Sequence, residues 1–353
     1  DTKSLTSLVS DTLTELGSFA FYNSGVKTVN ISKVTKINWS TFKNCAELEK
    51  VNIPLVDSIE KEAFRNCTAL VEINADNLDT IGRLAFSTCS SLEEIDFPRL
   101  TTFGETGKQQ GDIGCFQSCS NLKKVNLPNA TNIGGNVFEG CVSLEEIALP
   151  QAREVGASMF TNCIELKSVY LPKAITVYSL AFNNCKKLKE IELPSVTTIN
   201  RNAFNGNVYI ERLILPVVET ISDLPEGVSV AIGSTVTTIE NPSKLYSGLE
   251  FTIYGTTGTY ANQWAKEFGV EFREINQENA LYMDVPIEFE QNKETQLEVG
   301  VIGFNRTYQW YGNTQADNTT GTLIQGATSK TINPIDFAEY PYYYCVITSQ
   351  DNT

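Results

Sequence analysis

Residues 182–194 read FNNCKKLKEIELP, and this phrase recurs along the first two-thirds of the chain. Its Phe position is filled nine times, at intervals of 21 or 22 residues except for one interval of 30 residues. The nine positions are Phe21, Phe42, Phe64, Phe86, Phe116, Phe138, Phe160, Phe182 and Phe204. A fixed period of this length is typical of a solenoid, in which each unit buries its apolar side chains only against its neighbours.

The second half of the phrase predicts a short β-strand. In Leu188-x-x-Ile191-x-Leu193, alternate residues are apolar, so one side of the strand points inward and the other outward. Pro194 then ends the strand because it has no N–H for the next ladder hydrogen bond. We expect strands of successive units to pair in parallel on a concave face, with each Phe on a short helix or turn opposite. The predicted fold class is therefore an α/β solenoid.

The repeat pattern decays after Phe204, which is expected of the terminal units of a solenoid. Residues 261–268 carry apolar side chains at helical spacing and precede Gly269, which predicts a capping helix at about 260–269. We therefore assign residues 1–275 to the solenoid and residues 276–353 to a second domain.

The second domain has the composition of an all-β unit. YQWYGN (308–313), LIQGATSKT (323–331) and YPYYYCVIT (340–348) resemble strands C, C′/E and F of an immunoglobulin-like sandwich. Trp310 would be its buried core tryptophan and Tyr343 its tyrosine corner. Val299 stands where a partner cysteine is expected, which predicts an unpaired Cys345. Little sequence follows strand F, so the sandwich is either short or incomplete.

Most cysteines belong to the repeat rather than to a redox or metal motif. Seven share the position three residues after the Phe: Cys45, Cys67, Cys89, Cys119, Cys141, Cys163 and Cys185. A single column at the repeat period predicts reduced thiols packed between coils, whereas zinc sites and disulfide frameworks need pairs at special spacings. Cys115 lies outside the column, and for it a bridge to Cys119 or an exposed thiol stays open.

The phrase aliphatic-x4-Phe-x2-Cys-x2-Leu-x2-Ile-x-Leu-Pro resembles the BspA-like leucine-rich repeats of bacterial surface proteins. The stretch TIYGTTGTYANQWAKEFGVEF (252–272) is similar to the way such arrays end. The resemblance covers roughly residues 13–272. It implies a secreted or cell-surface protein that adheres to host proteins or to neighbouring cells, and its motif includes no catalytic residue.

Composition excludes several classes of function. The net charge of −15 argues against nucleic acid and against a basic membrane patch. The chain contains no His, which removes His-dependent catalysis and the commonest metal ligand. The chain has no apolar run long enough for a membrane span, and its start, DTKSLTSLVS, shows no signal peptide. We predict no cofactor, no metal and no enzymatic activity.

Carboxylate pairs such as Glu93/Glu94 and Glu145/Glu146 could serve a glycosidase, but they fall on outward strand positions opposite lysines. A ladder of opposite charges is therefore the favoured interpretation. Binding candidates are Tyr170 and Ile214, which interrupt a polar outward column, and an eight-residue insertion within Gly104–Gly114. A packing role is the favoured alternative for the two side chains, and tolerated surface variation is the favoured alternative for the insertion. The candidate residues in that insertion are Gly104, Lys108, Gln109, Gln110 and Asp112.

The leading hypothesis is a non-catalytic cell-surface or extracellular protein that recognises a protein ligand, for example a host matrix or plasma protein. The alternatives are binding, or less favourably cleavage, of a surface glycan, and a purely structural stalk.

Overall fold

The structure is a computed structural model that describes residues 4–103, 114–131, 133–207, 210–222, 224, 228–240, 252–274, 297–298, 306–313, 321–325, 327–328, 331–332 and 342–349. In chain order, the repeat region contains β1 (Ser7–Ser10), β2 (Thr28–Ile31), β3 (Lys36–Ile37), β4 (Lys50–Asn52), β5 (Ser58–Ile59), β6 (Glu72–Asn74), β7 (Thr80–Ile81), β8 (Glu94–Asp96), β9 (Thr102–Phe103), β10 (Lys124–Asn126), β11 (Glu146–Ala148), β12 (Glu154–Val155), β13 (Ser168–Tyr170), β14 (Thr176–Val177), β15 (Glu190–Glu192), β16 (Thr198–Ile199), β17 (Arg212–Leu215), β18 (Thr220–Ile221), β19 (Ser229–Ile232), β20 (Thr238–Ile239), β21 (Thr252–Gly255), α1 (Tyr260–Phe268) and β22 (Glu271–Glu274).

The strands form two parallel ladders. The longer strands, of three or four residues, form sheets in the orders β1-β2-β4-β6, β8-β10-β11-β13 and β15-β17-β19-β21-β22. Two-residue strands form a second ladder in the orders β3-β5-β7-β9 and β12-β14-β16-β18-β20. Neighbours pair in register at the repeat period, as Val51 does with Ile73. The predicted parallel strands are confirmed, and the second ladder uses the aliphatic position before each Phe.

The insertion does not disturb the stacking of the longer strands. The strands on either side of it, β8 and β10, pair in parallel with Ile95 opposite Val125. Phe86 and Phe116 also stack across it, with ring centroids 5.5 Å apart. The core therefore stays in register on the two sides of the insertion.

Turns carry the Phe residues. Of the short helix and the turn that were predicted as alternatives for this position, the turn is therefore confirmed. Among the described residues α1 is the only α-helix. In each repeat, the residue two positions before the Phe and the residue two positions after it have a positive φ, which a right-handed helix cannot contain. They are Phe19, Asn23, Ser40, Asn44, Glu62, Asn66, Leu84, Thr88, Gly114, Ser118, Asn136, Gly140, Ser158, Asn162, Leu180, Asn184, Asn202 and Gly206.

Backbone hydrogen bonds explain why this turn conformation persists. The Cys45 N–H donates to the Phe42 carbonyl within the turn, at 3.1 Å. The N–H of Asn44, which lies between these two residues, donates instead to the Arg65 carbonyl of the next coil, at 2.8 Å. Because alternate N–H groups bond to the next coil, the backbone is satisfied without an α-helical ladder.

The Phe side chains form one continuous stack at the centre of the coils. Successive rings lie 5.2–5.8 Å apart with planes within 3–16° of parallel. Phe42, Phe64 and Phe138 have no exposed surface, whereas Phe21, in the first coil, is partly exposed. The Phe side chains therefore fill the middle of their coils.

The cysteine column connects neighbouring coils. The Cys67 thiol donates to the carbonyl of Phe42 at 3.1 Å, and the other six column cysteines make the equivalent contact at 3.0–3.3 Å. Asn207 takes the same position in the last repeat and donates its amide to the Phe182 carbonyl. The thiols therefore act both as small apolar fillers and as donors between repeats.

Cys115 is neither bridged to Cys119 nor exposed, so neither of the two alternatives left open for it holds. It is fully buried, and its thiol donates to the Gly82 carbonyl at 3.2 Å. The physical reason is its place in the repeat. Cys115 directly precedes a Phe, in the inward position that Ala63 and Ala85 occupy in other coils.

A buried ion cluster joins the second and third repeats. Glu62 is 8% exposed and accepts hydrogen bonds from Lys43 and Arg65, both at 2.6 Å. Burial raises the pKa of the Glu62 carboxyl, but the two cationic partners together outweigh burial and hold that pKa below its ordinary value.

The repeat region ends in a helix and one further strand. Ala261, Trp264 and Ala265 of α1 are buried, and Gly269 ends the helix with a φ of 70°. β22 then pairs in parallel with β21. The predicted domain boundary at residue 275/276 lies outside the described residues.

The C-terminal part contains β23 (Leu297–Glu298), β24 (Arg306–Asn313), β25 (Thr322–Leu323), β26 (Thr331–Ile332) and β27 (Tyr342–Ser349). All of its strand pairs are antiparallel, and β24 and β27 pair over eight residues with Trp310 opposite Cys345. Trp310 is buried, as expected of a core tryptophan. The immunoglobulin-like sandwich stays a prediction. Val299 and the side chains of Tyr343 and Cys345 lie outside what is described.

Candidate binding face

The outward side chains of the longer strands form what we call the long-strand face, comprising β2, β4, β6, β8, β10, β11, β13, β15 and β17. Two of its columns carry charges of alternating sign. Cross-strand ion pairs join Lys50–Glu72, Lys123–Glu93, Lys124–Glu94, Lys167–Glu145, Lys189–Glu211 and Arg212–Glu190. Each pair joins neighbouring coils, so the expected charge ladder is confirmed. Exposed pairs of this kind contribute little individually to stability.

These pairs bear on the glycosidase interpretation. The hydrogen bond from Lys167 holds the pKa of Glu145 below its ordinary value. A glycosidase general acid needs the opposite shift, because it must stay protonated near neutral pH. Glu145 therefore has the electrostatics of an ion-pair partner and not of a general acid.

The third column changes character along the face. At its start, Asn74 donates its amide to Asn52 and Asn52 donates to Asn30, both at 2.9 Å. Further along, the same column holds Ala148 and then Tyr170, which pair in register on β11 and β13. The row of hydrogen-bonded amides is thus replaced by a small residue beside a large aromatic one.

Ala148 and Tyr170 together shape an open depression of about 420 Å³. It exists because the methyl group of Ala148 fills little of the space between the longer side chains of β10 and β13. Its lining is Lys123, Lys124, Val125, Glu146, Ile147, Ala148, Ser168, Val169 and Tyr170. Tyr170 is 59% exposed, the highest value for an aromatic residue in the described part of the chain. Tyr170 is therefore an exposed aromatic residue, and its part in binding stays a prediction.

Ile214 does not belong to this open surface. It is only 4% exposed, its register partner Ala231 is buried, and so is Tyr254, the register partner of Ala231. The strands β17, β19 and β21 are therefore buried at these positions on the side that is open in earlier coils, and Ile214 has the packing role that was the alternative to binding. The insertion candidates Gly104, Lys108, Gln109, Gln110 and Asp112 lie outside the described residues.

A second exposed cluster, of aromatic side chains, was not predicted from the sequence. Phe19, Tyr22 and Trp39 lie on the turns of the first two coils and contact one another. The signal was available in the repeat alignment, because other repeats carry no aromatic residue at these positions. Attention to the strands alone misses it.

Comparison with known families gives one match that covers most of the chain. The family described as "BspA type Leucine rich repeat region (6 copies)" matches residues 1–107 and 112–225. Comparison with curated proteins finds no match.

Several solved structures resemble the chain. A leucine rich cell surface protein from Faecalibacterium prausnitzii is 21% identical with a TM-score of 0.45, covering 74% of this chain and 90% of the other. A leucine-rich repeat protein from Bacteroides ovatus is 23% identical with a TM-score of 0.43, covering 78% and 85%. The T. pallidum leucine rich repeat protein is 29% identical with a TM-score of 0.40, covering 46% and 78%.

In the portion of the chain that the structure describes, no helix combines the length and apolar character needed to cross a bilayer.

Proposed function

The chain belongs to the BspA-type leucine-rich-repeat family, and from this premise we propose that it is a non-catalytic cell-surface or extracellular protein that recognises a protein ligand on its long-strand face. The contact would centre on Tyr170 and the depression beside Ala148. A host matrix or plasma protein is the class of ligand that the family suggests.

The exposed ring of Tyr170 carries this proposal. Tyrosine is enriched where protein interfaces concentrate their binding energy, because it adds a large rigid contact area and a polar tip. Here it borders a depression of about 420 Å³, which could receive a side chain of the partner. The surrounding ion pairs, such as Lys123–Glu93, would form a polar rim.

Surface-based binding to immobilised fibronectin, fibrinogen, laminin and collagen tests the proposal. We expect saturable binding to at least one of these proteins and a loss of about tenfold or more in affinity for Tyr170→Ala. Ala148→Asn, which restores the residue type found at Asn126 in the same column, should also weaken binding because it narrows the depression.

Tyr260→Ala is the matched control, since it removes a partly exposed tyrosine from α1 and leaves the long-strand face intact. Equal binding by the unmodified chain and Tyr170→Ala would exclude the assigned site. Binding to glycans alone, lost in Tyr170→Ala, would favour carbohydrate recognition on this face, and absence of any ligand in both screens would favour a structural stalk.

A further inference from the structure

The aromatic cluster of Phe19, Tyr22 and Trp39 is a surface of its own on the turns of the first two coils. Their side chains are 45%, 43% and 43% exposed. The Phe19 ring lies 4.9 Å from that of Trp39 and 5.9 Å from that of Tyr22, both in edge-to-face geometry. Three half-exposed aromatic rings thus form one continuous patch, which we call the aromatic platform.

The repeat itself shows that the fold does not require these rings. The position of Tyr22 holds Lys43, Arg65, Ser87, Gln117, Glu139, Thr161, Asn183 and Asn205 in the other repeats. The position of Trp39 holds Ser18, Lys61, Arg83, Ile113, Gly135, Ala157, Ser179 and Arg201. The position of Phe19 holds Ser40, Glu62, Leu84, Gly114, Asn136, Ser158, Leu180 and Asn202. Seven of the nine coils close without an aromatic residue at any of the three positions.

Phe19 is also held in an unfavourable backbone conformation. Its φ is 60°, in the left-handed region that costs most residues other than glycine and asparagine about 1–2 kcal/mol. Since almost half of its side chain is exposed, core burial does not offset this cost. The backbone of Phe19 is nevertheless fixed, because its N–H donates to the Trp39 carbonyl at 3.1 Å.

Polar groups border the platform. The Tyr22 hydroxyl accepts a hydrogen bond from the Asn44 amide at 3.2 Å, and Asn44 in turn accepts one from Asn66 at 2.8 Å. The Lys61 ammonium lies 5.6 Å from the centre of the Trp39 ring. Amides supply donors and acceptors and the ammonium supplies donors, which suits a ligand that carries many hydroxyl groups.

The size of the platform fits a small ligand. At 43–45% exposure, three rings leave about 200–330 Å² open, given about 150–250 Å² for a whole aromatic side chain. This area matches one or two sugar rings, whose C–H faces stack on aromatic rings. A protein partner would bury about 800 Å² and so would have to cover surface well beyond the three rings.

We propose that Phe19, Tyr22 and Trp39 form a carbohydrate-binding platform, on which a pyranose stacks while Asn44 and Lys61 contact its hydroxyl groups. The site is separate from the long-strand face and does not depend on the protein ligand proposed there.

A glycan array carrying oligosaccharides that end in N-acetylglucosamine, galactose, mannose or sialic acid tests this proposal with the full chain. Any glycan bound is then titrated by fluorescence. Trp39 is suited to this readout because Trp264 and Trp310, the other two tryptophans, are only 3% and 4% exposed. We expect a saturable change in emission and protection from iodide quenching.

The test variants use residues that the repeat already places at the three positions: Phe19→Asn, Tyr22→Asn and Trp39→Ser. These substitutions should leave the fold intact, which circular dichroism checks. We expect the triple variant, and Trp39→Ser alone, to lose about tenfold or more in glycan affinity. Tyr170→Ala should bind the glycan as the unmodified chain does.

Three results would overturn the assignment. The first is an array on which the folded, unmodified chain binds no glycan. The second is glycan binding that survives in the triple variant. The third is a triple variant that keeps its glycan but loses a matrix or plasma protein, which would make the platform a protein contact. Failure of the Tyr170 proposal alone changes none of these outcomes.

Discussion

Thr88 is a residue whose β-branched side chain is poorly compatible with its backbone conformation. It lies two residues after Phe86, where the turn requires a left-handed conformation, and its φ is 63°. A β-branched side chain is poorly suited to that conformation, whereas asparagine and glycine adopt it readily. Asn44 and Asn66 occupy the same position in the two preceding repeats, with φ values of 62° and 61°. We therefore expect Thr88→Asn to stabilise the protein.

Two contributions set the magnitude. A residue in the left-handed conformation costs about 1–2 kcal/mol, and Thr88→Asn should recover between half and all of that free energy. The new amide could also donate to Asn66, as Asn184 does to Asn162 at 2.7 Å, and a hydrogen bond of this kind contributes about 0.5–1.5 kcal/mol at most on an exposed turn. Loss of the 3.4 Å contact between the hydroxyls of Thr88 and Ser87 offsets part of the gain. The expected net increase in the free energy of unfolding is about 1 kcal/mol.

Urea unfolding followed by far-UV circular dichroism measures this change as a shift of the transition midpoint at constant slope. Thr88→Gly separates the contributions, because it relieves the strain without supplying an amide, and Thr88→Ala retains the strain. The expected order of stability is Asn above Gly above Ala. Thr68→Asn is the control, since Thr68 is exposed and its φ is not positive. A Thr88→Ala variant as stable as Thr88→Asn would refute the reasoning.

Gly82→Ala should destabilise the chain by about 1–3 kcal/mol in the same assay, because a Cβ there would lie 2.4 Å from the backbone nitrogen of Lys61. Gly17 has the same repeat position in the first coil, and a Cβ added there would meet nothing within 4 Å, so Gly17→Ala should be neutral or slightly stabilising. Cys119 and the other column thiols should resist a thiol reagent such as DTNB at pH 8 and react once denatured, since burial raises the pKa of Cys119 to about 12. Rapid modification of the native array would contradict this. Glu62, whose folded-state pKa is depressed, should stabilise the chain above its unfolded pKa of about 4.3 and lose that contribution as the pH falls through the folded value. The unfolding midpoints of the unmodified chain and of Glu62→Gln should therefore differ at pH 7 and converge towards pH 3. A difference between the two proteins that is the same at both pH values would exclude the linkage.

Side-chain periodicity predicts the parts of this fold that depend on burial. The Phe stack, the cysteine column and the parallel strands all follow from apolar residues that recur at one period, because a buried position admits few residue types. Cys115 shows where this reasoning fails. Its difference from the column suggested special chemistry, yet it fills an inward position that Ala63 takes elsewhere.

Backbone conformation is harder to predict than burial. The left-handed positions hold residues as different as Asn66, Leu84 and Glu62, so no single residue type marks them. The choice between the short helix and the turn, both of which the sequence allowed, is explained only by the hydrogen bonds between coils. Ile214 illustrates a related limit, since its exposure depends on which side of a terminal strand is covered and not on its place in the repeat.

The repeat also provides a criterion for finding binding surfaces. Where equivalent positions in other coils hold polar or small residues, folding does not require a large apolar one. A buried exception such as Ile214 can still be explained by packing. An exposed exception cannot, because it gains little from the hydrophobic effect. Tyr170 and Trp39 meet both conditions, each in a different part of the repeat. Their separation predicts two independent binding activities, and single substitutions at each position should remove one activity while leaving the other unchanged.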